Sequence, residues 1–194
     1  MTDSRKPRGY GDGKDALLRA TIRVVAAKGM RGLTFRAVAA EAGVNNTLIA
    51  HHFGTRDNLL AAALEWSTAR SIGLTHLTEY ASDAPSFRSA LVQSVLSEPE
   101  LHAFQFEMIL ESSRRADLQP AVHRLYDQYV AALAGGRSAL GLPSSDGLDR
   151  ALFAALDGLV LQYLAHAITA EQFADAVDAL GSAVASSDRV GQAP

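Results

Sequence analysis

Residues 43–56, Gly-Val-Asn-Asn-Thr-Leu-Ile-Ala-His-His-Phe-Gly-Thr-Arg, place two amides, a hydroxyl and two imidazoles almost in succession. The chemistry these groups support is recognition rather than bond breaking. Asn can pair bidentately with the edge of adenine, Thr and Leu can touch a thymine methyl, and His can donate to a phosphate or to a guanine acceptor. A loop would not carry Leu48, Ile49 and Phe53, and an ordinary surface helix would not give its outer side to amides and imidazoles. The segment reads as a short helix whose exposed side enters a DNA groove.

Such a helix has to be held by its neighbours. Thr34 is an N-cap residue for a helix over 35–41 that Gly43 stops, and a third helix over about 45–52 follows. Two helices cross closely through a short turn only if the contact is small and the turn tolerates positive φ, demands that Ala39 and Gly43 meet. Val38, Ala42, Val44 and Ile49 then face inward. The free side holds Asn45, Asn46, Thr47, Leu48, His51 and His52. Arg36 and Arg56 flank it at the starts of neighbouring helices, where charge and helix N-terminal amides suit phosphates, and with Thr34 they complete the expected DNA contacts. Short helix pairs with this spacing arise by chance, but here the cap, the spacing, the polar face and the local positive charge coincide.

The stretch LTFRAVAAEAGVNNTLIAHHFGTRDNLL resembles the N-terminal signature of the TetR family of bacterial transcriptional regulators, a helix-turn-helix that ends in an aromatic turn followed by a small residue, a base and a helix. His52-Phe53, Thr55, Arg56 and Leu59 stand at those positions, and the resemblance covers about residues 14–60. Two positions depart from it. Ala50 stands where the family usually has a tyrosine, often a phosphate contact, which shifts weight to His51 and Arg56; Asn45 replaces a serine or threonine and still serves as a cap.

The bulk composition agrees with a protein that presents one end to a polyanion. Residues 1–60 carry ten Lys and Arg against five acids, whereas the rest carries eight against sixteen, a basic segment on an acidic body. The 194 residues with 48% hydrophobic content suffice for a real core, read as a small domain joined to a larger one. With no cysteine, disulfides and thiolate metal sites are ruled out. The N-terminus lacks the apolar run of a signal peptide, and a cytoplasmic location is expected. The most apolar stretch, 151–168, is interrupted by Asp157, Gln162 and His166 and falls short of a bilayer span.

Helical periodicity runs through nearly the whole chain and strand alternation is missing. The expectation is an all-α fold of about nine helices: a disordered basic arm at 1–13, a helix-turn-helix domain at 14–56, and a ligand-binding and dimerisation domain at 57–194 entered through a long helix from about 56 to 81. Gly29 is expected to end the first helix, Pro99 and Pro120 to open later ones, Thr169 with Gln172 to form a capping box for a last helix of about 170–186, and the remainder to fray.

Helix 148–168 is apolar nearly all round, and the last helix carries a narrower stripe. Packed against their symmetry mates through Phe153, Val160, Leu161, Leu164, Phe173, Val177 and Leu180, the two would form an isologous four-helix interface. A homodimer could then set two recognition helices about 34–36 Å apart on a palindromic operator. The resemblance implies a pocket among the middle helices for a small apolar or amphipathic effector, and Trp66, Phe106, Tyr126 and Tyr129 are its expected lining. Glu107 and Glu111 with Arg114 and Arg115 read as a solvated charge ladder, with Glu107 facing a cationic ligand as the alternative. No cofactor or metal is expected. An enzyme or metal protein would need a nucleophile or spaced ligands; His51 and His52 point about 100° apart and cannot clamp one ion. The function expected is a ligand-responsive transcriptional regulator, a repressor released by its effector, with an all-helical partner-binding protein or a cofactor-free helical enzyme as the rival readings.

Overall fold

The computed structural model describes residues 10–75, 77, 84–139 and 141–190. Among them the regular elements are all helical: α1 (Tyr10–Gly32), α2 (Phe35–Ala42), α3 (Asn46–Phe53), α4 (Arg56–Thr75), α5 (Ala84–Ser97), α6 (Pro99–Ser112), a 3-10 turn (Ala116–Leu118), α7 (Gln119–Ala139), α8 (Asp146–Leu164) and α9 (Ala170–Val190). The arm residues Arg5, Lys6 and Arg8, and the expected end of the long helix near 81, lie outside the described residues.

Three boundaries differ from the sequence expectation. Helix α1 begins at Tyr10, four residues early, since Gly11 and Gly13 weaken a helix by only about 1 kcal/mol each. Its axis breaks where expected, at Gly29, whose φ of 64° and ψ of −179° leave the helical region. Helix α8 stops at Leu164 rather than 168, because His166 takes a left-handed φ of 56° and Ala167 N–H turns back to the Gln162 carbonyl at 2.9 Å. Helix α9 continues to Val190. It opens with the expected capping box: Thr169 Oγ1 accepts from Gln172 N–H at 3.2 Å, and Gln172 Oε1 accepts from Thr169 N–H at 2.9 Å.

One apolar cluster runs through the described fold. Helix α1 contributes Leu17, Leu18, Ile22 and Val25, and packs against α2, α4 and α6. Helix α4 is the central strut: Leu59, Leu60, Ala63 and Leu64 fill its first turns, and it touches α1, α3, α5, α6 and α7. Its buried hydroxyls do not disturb the core, since Ser67, Thr68 and Thr75 each donate to a carbonyl of their own helix at 2.8 Å. Helices α8 and α9 close the far side, with Phe173 and Val177 fully buried.

A buried ion pair joins α7 to α8. Arg137 and Asp149 are each 1% exposed, 3.7 Å apart from Nε to Oδ1. Arg137 Nε also donates to the Pro143 carbonyl at 2.7 Å and Ser144 Oγ to Asp149 Oδ2 at 2.6 Å, so the connection between the two helices is clamped from both sides.

Candidate nucleic-acid interface and adjoining cavity

The turn between α2 and α3 is built almost entirely from local bonds. Thr34 sits in extended backbone and its hydroxyl accepts from Ala37 N–H at 3.0 Å. Gly43 takes φ 66° and ψ 37°, a left-handed conformation suited to glycine, and Val44 N–H returns to the Ala39 carbonyl at 3.0 Å. Asn45 Oδ1 accepts from both Thr47 N–H and Thr47 Oγ1 at 3.0 Å, capping α3. Ile49 and Phe53, at 0% and 7% exposure, anchor α3 to the core. Asn46, Thr47, Ala50 and His51 are left exposed along its other side, with Arg36 exposed on α2.

The remaining predicted contacts take other positions. Leu48 is half-buried against the core, and the His52 ring lies 5.4 Å from that of His51 and 6.0 Å from that of Phe53. Arg56 is half-buried, and its guanidinium donates to the Met30 carbonyl, so it ties the end of α1 to the start of α4 rather than standing free for a phosphate. Nearby, Arg115 Nη2 reaches Asp57 in the first turn of α4 at 2.7 Å, which binds the reading head to the segment between α6 and α7.

In the body, two adjoining chambers lie among α4, α6, α7 and α8. The outer one, about 270 Å³, is walled by Phe106, Tyr126, Val130, Phe153, Asp157 and Leu161, among others. The inner one, about 40 Å³, shares Phe106, Phe153 and Asp157 with it and is reached by Ser71 and Thr75 of α4 and by His102, Gln105 and Tyr129. Tyr129 stacks on Phe153 at 4.5 Å, and Tyr126 meets the same ring edge-on at 5.9 Å. Gln105 Nε2 donates to Tyr129 Oη at 3.0 Å and to Ser67 Oγ at 3.3 Å.

Burial controls the ionisable groups here. It pushes His102 down to about 4, against a smaller upward pull from Glu98. It raises Tyr126 and Tyr129 to about 12. It also lifts Asp157 to about 6, partly offset by a hydrogen bond from the Tyr126 hydroxyl. One turn before His102, Glu98 is held below the usual carboxylate range, chiefly by its hydrogen bonds from Arg70. Among the described residues no group of three or more His, Cys, Asp or Glu is placed to hold a metal, and no helix is long and apolar enough to cross a membrane.

A reading head of this form on a helical body is also what known proteins show. Residues 17–63 match the model for bacterial regulatory proteins of the tetR family, and residues 81–186, more than half of the chain, match the model for the tetracyclin repressor-like C-terminal domain. The chain belongs to the TetR family. That family is one of transcriptional regulators. An HTH-type transcriptional repressor of Mycobacterium tuberculosis is 35% identical over 86 residues, 44% of this chain and 43% of that protein, so the match spans less than half the length of such relatives. A TetR-family structure from Streptomyces coelicolor A3 superposes with a TM-score of 0.69 at 27% identity, covering 87% of this chain and 98% of the other. The multidrug binding protein EbrR, complexed with imidazole, gives 0.63 at 28%, covering 86% and 93%.

Within this TetR-family fold the expected lining and pairing residues divide. Phe106, Tyr126 and Tyr129 do line the chambers. Trp66 lines neither: it is held between cations, with the Arg19 guanidinium 4.8 Å and that of Arg70 5.6 Å from its ring centroid. Glu107 is half-buried but absent from both walls, and of the expected ladder only Glu111 to Arg114 forms, at 3.0 Å. Phe153, Val160, Phe173 and Val177 are 8%, 6%, 0% and 2% exposed in the single chain, so its own core has taken them and a partner has little of them to touch. Leu161 at 48%, with Leu164 and Leu180 half-buried, remain available on α8 and α9. Sequence reasoning missed Asp157, Gln105, Ser71 and Thr75 as wall residues. Asp157 alone gave a signal, as the acid that breaks an apolar run.

Proposed function

We propose that the chain is a ligand-responsive repressor that binds a palindromic operator as a homodimer and is released by a small amphipathic effector. Residues 14–56 form the reading head and residues 57–194 pair and sense. The observation that carries this is the exposed side of α3: Asn46, Thr47 and His51 stand outward on a helix fixed by Ile49, Phe53 and the Asn45 cap. Asn46 is the base reader, since Asn45 is occupied with its own cap. Thr47 supplies a methyl, and Arg36 and His51 meet phosphates. Pairing uses the outward sides of α8 and α9 around Leu164 and Leu180, with Leu161 at the border shared by the pairing face and the outer chamber wall.

The effector occupies the chambers behind Phe106, Tyr126 and Phe153, a reading supported by EbrR, a multidrug binding protein solved with imidazole, proflavin and ethidium. Helix α4 links the two sites, because its first turn sits beside α3 and its Ser71 and Thr75 reach the inner chamber. Effector binding tilts α4 and so changes the separation of the recognition helices; a coupling of about 1–3 kcal/mol is typical for such linkage. Control over transcription places the protein in the cytoplasm.

The test is selection of bound sites from random duplexes, repeated with Asn46→Ala. The wild type yields a palindrome, and the variant loses the base preference at one symmetric pair of positions. A variant that selects the same motif with the same strength removes Asn46 as a reader.

A further inference from the structure

Asp157 is the one residue of the outer chamber whose placement asks for a particular kind of occupant. It is half-buried in a wall that, Arg150 apart, is made of rings, aliphatic side chains and a glycine, where a carboxylate is poorly solvated. The Tyr126 hydroxyl offers it a single hydrogen bond. The only basic group on the same wall, Arg150, is already engaged: Nε lies 2.9 Å from Asp146 Oδ2 and Nη2 lies 3.5 Å from Asp127 Oδ1. Arg150 and its two acids together carry negative charge, so the chamber mouth favours a cation. Behind Asp157 the wall carries the rings of Phe106, Tyr126 and Phe153, and a cation seated over the face of such a ring is attracted by its quadrupole.

We propose that the effector is a compact organic cation whose charge rests against the Asp157 carboxylate and whose apolar part lies against Phe106, Tyr126 and Phe153. This rests on the reading of the chambers as the effector site. The volume of about 270 Å³ is slightly below the span usual for drug-sized ligands, so the ligand is small. The His102 Nε2 atom, buried at the inner chamber and without a hydrogen-bond partner among the described residues, is a second polar point for a ligand that reaches past Phe153.

The charge on Asp157 also sets a pH dependence. The groups facing it are Tyr126 and Tyr129 from α7, both neutral below about 12, His102 from α6, neutral above about 4, the hydroxyls of Ser71 and Thr75 from α4, and Arg150 on its own helix. Between these limits Asp157 is the group that titrates, near 6. A bound cation favours the ionised form, so binding releases a proton below that pH, and affinity rises with pH up to it and then levels off.

Calorimetric titration of the full chain with three probes that share a benzyl group and differ in charge, benzyltrimethylammonium, 2-phenylethanol and phenylacetate, tests the proposal. At about pH 7.5 the cation binds at least about tenfold tighter than either other probe, and the preference shrinks at about pH 5. Asp157→Asn abolishes the advantage and its pH dependence, so that the cation binds no tighter than 2-phenylethanol does to the same variant; an unchanged thermal midpoint or a higher one certifies its fold. Ala154→Trp, at an exposed wall position, blocks all three. Equal affinity for the neutral probe, stronger binding of phenylacetate, or full cation affinity in Asp157→Asn overturns the charge assignment while the cavity reading survives, provided Ala154→Trp still blocks. If no probe binds a wild-type protein that still binds its operator, the cavity reading fails and the proposal with it.

Discussion

Around α2 and α3 the polar side chains that shape the turn find partners two or three residues away, Thr34 with Ala37 and Asn45 with Thr47. Around the chambers the partners come from distant helices: Gln105 meets Tyr129 24 residues on and Ser67 38 residues back. The head is therefore a unit whose shape follows from local caps and a few anchors, with Asn46, Thr47 and His51 left outside. The body is assembled by long-range packing and keeps polar atoms inside it, including His102 Nε2 and Ser94 Oγ, which have no hydrogen-bond partner among the described residues. Under the proposed function the first region reads and the second responds to a ligand, and the short-range and long-range bonding of the two matches that division.

Breaking each region separately sharpens that contrast. The largest effect is expected from Asp149→Ala, which removes the carboxylate that faces the Arg137 guanidinium at 1% exposure; loss of one partner of a buried pair costs about 3–5 kcal/mol, read as a lower denaturation midpoint of the whole chain. Ile49→Ala comes next at about 2–5 kcal/mol by cavity formation under α3. Operator binding is expected to fall further than helix content, and equal losses would deny that α3 is a separable unit.

His102 gives a pH signature for the body. Its folded value of about 4 lies below the unfolded 6.5, so the native state favours the neutral ring. Stability is present above 6.5 and is lost as pH falls toward 4, by on the order of 3 kcal/mol. Asp157, raised to about 6 in the folded chain, acts in the opposite sense over the same range, so the His102 contribution is read as the stability difference between wild type and His102→Gln, measured by chemical denaturation across this range. The smallest change is Thr34→Ala, about 1 kcal/mol from a lost cap, detectable as faster amide exchange at the start of α2 with the body unaffected.

The same difference in range explains what could be read in the chain. The Thr34 and Asn45 caps, the Gly29 break, Gly43 and the Thr169 capping box were legible because each is decided within a few residues. Which side of a buried helix meets which neighbour is a tertiary matter. Helix α8 is apolar on several sides, so Phe153 and Val160 read as pairing residues although α7 and α9 cover that region within the chain. Trp66 read as lining because an aromatic in a middle helix gives no hint of Arg19 and Arg70, 47 residues back and four ahead. Arg137 and Asp149 left no trace, since a charged residue near a loop is ordinarily solvated.

The central claim is that the exposed side of α3 reads base edges while the basic groups around it hold the phosphates. Operator affinity measured against salt concentration, for the wild type and Asn46→Ala on one selected duplex, separates the two. The account predicts parallel lines of log K against log salt, each with a slope near −0.9 per neutralised phosphate, the variant displaced downward by about 1–3 kcal/mol. A salt-independent affinity, or a variant line that coincides with that of the wild type, would contradict it.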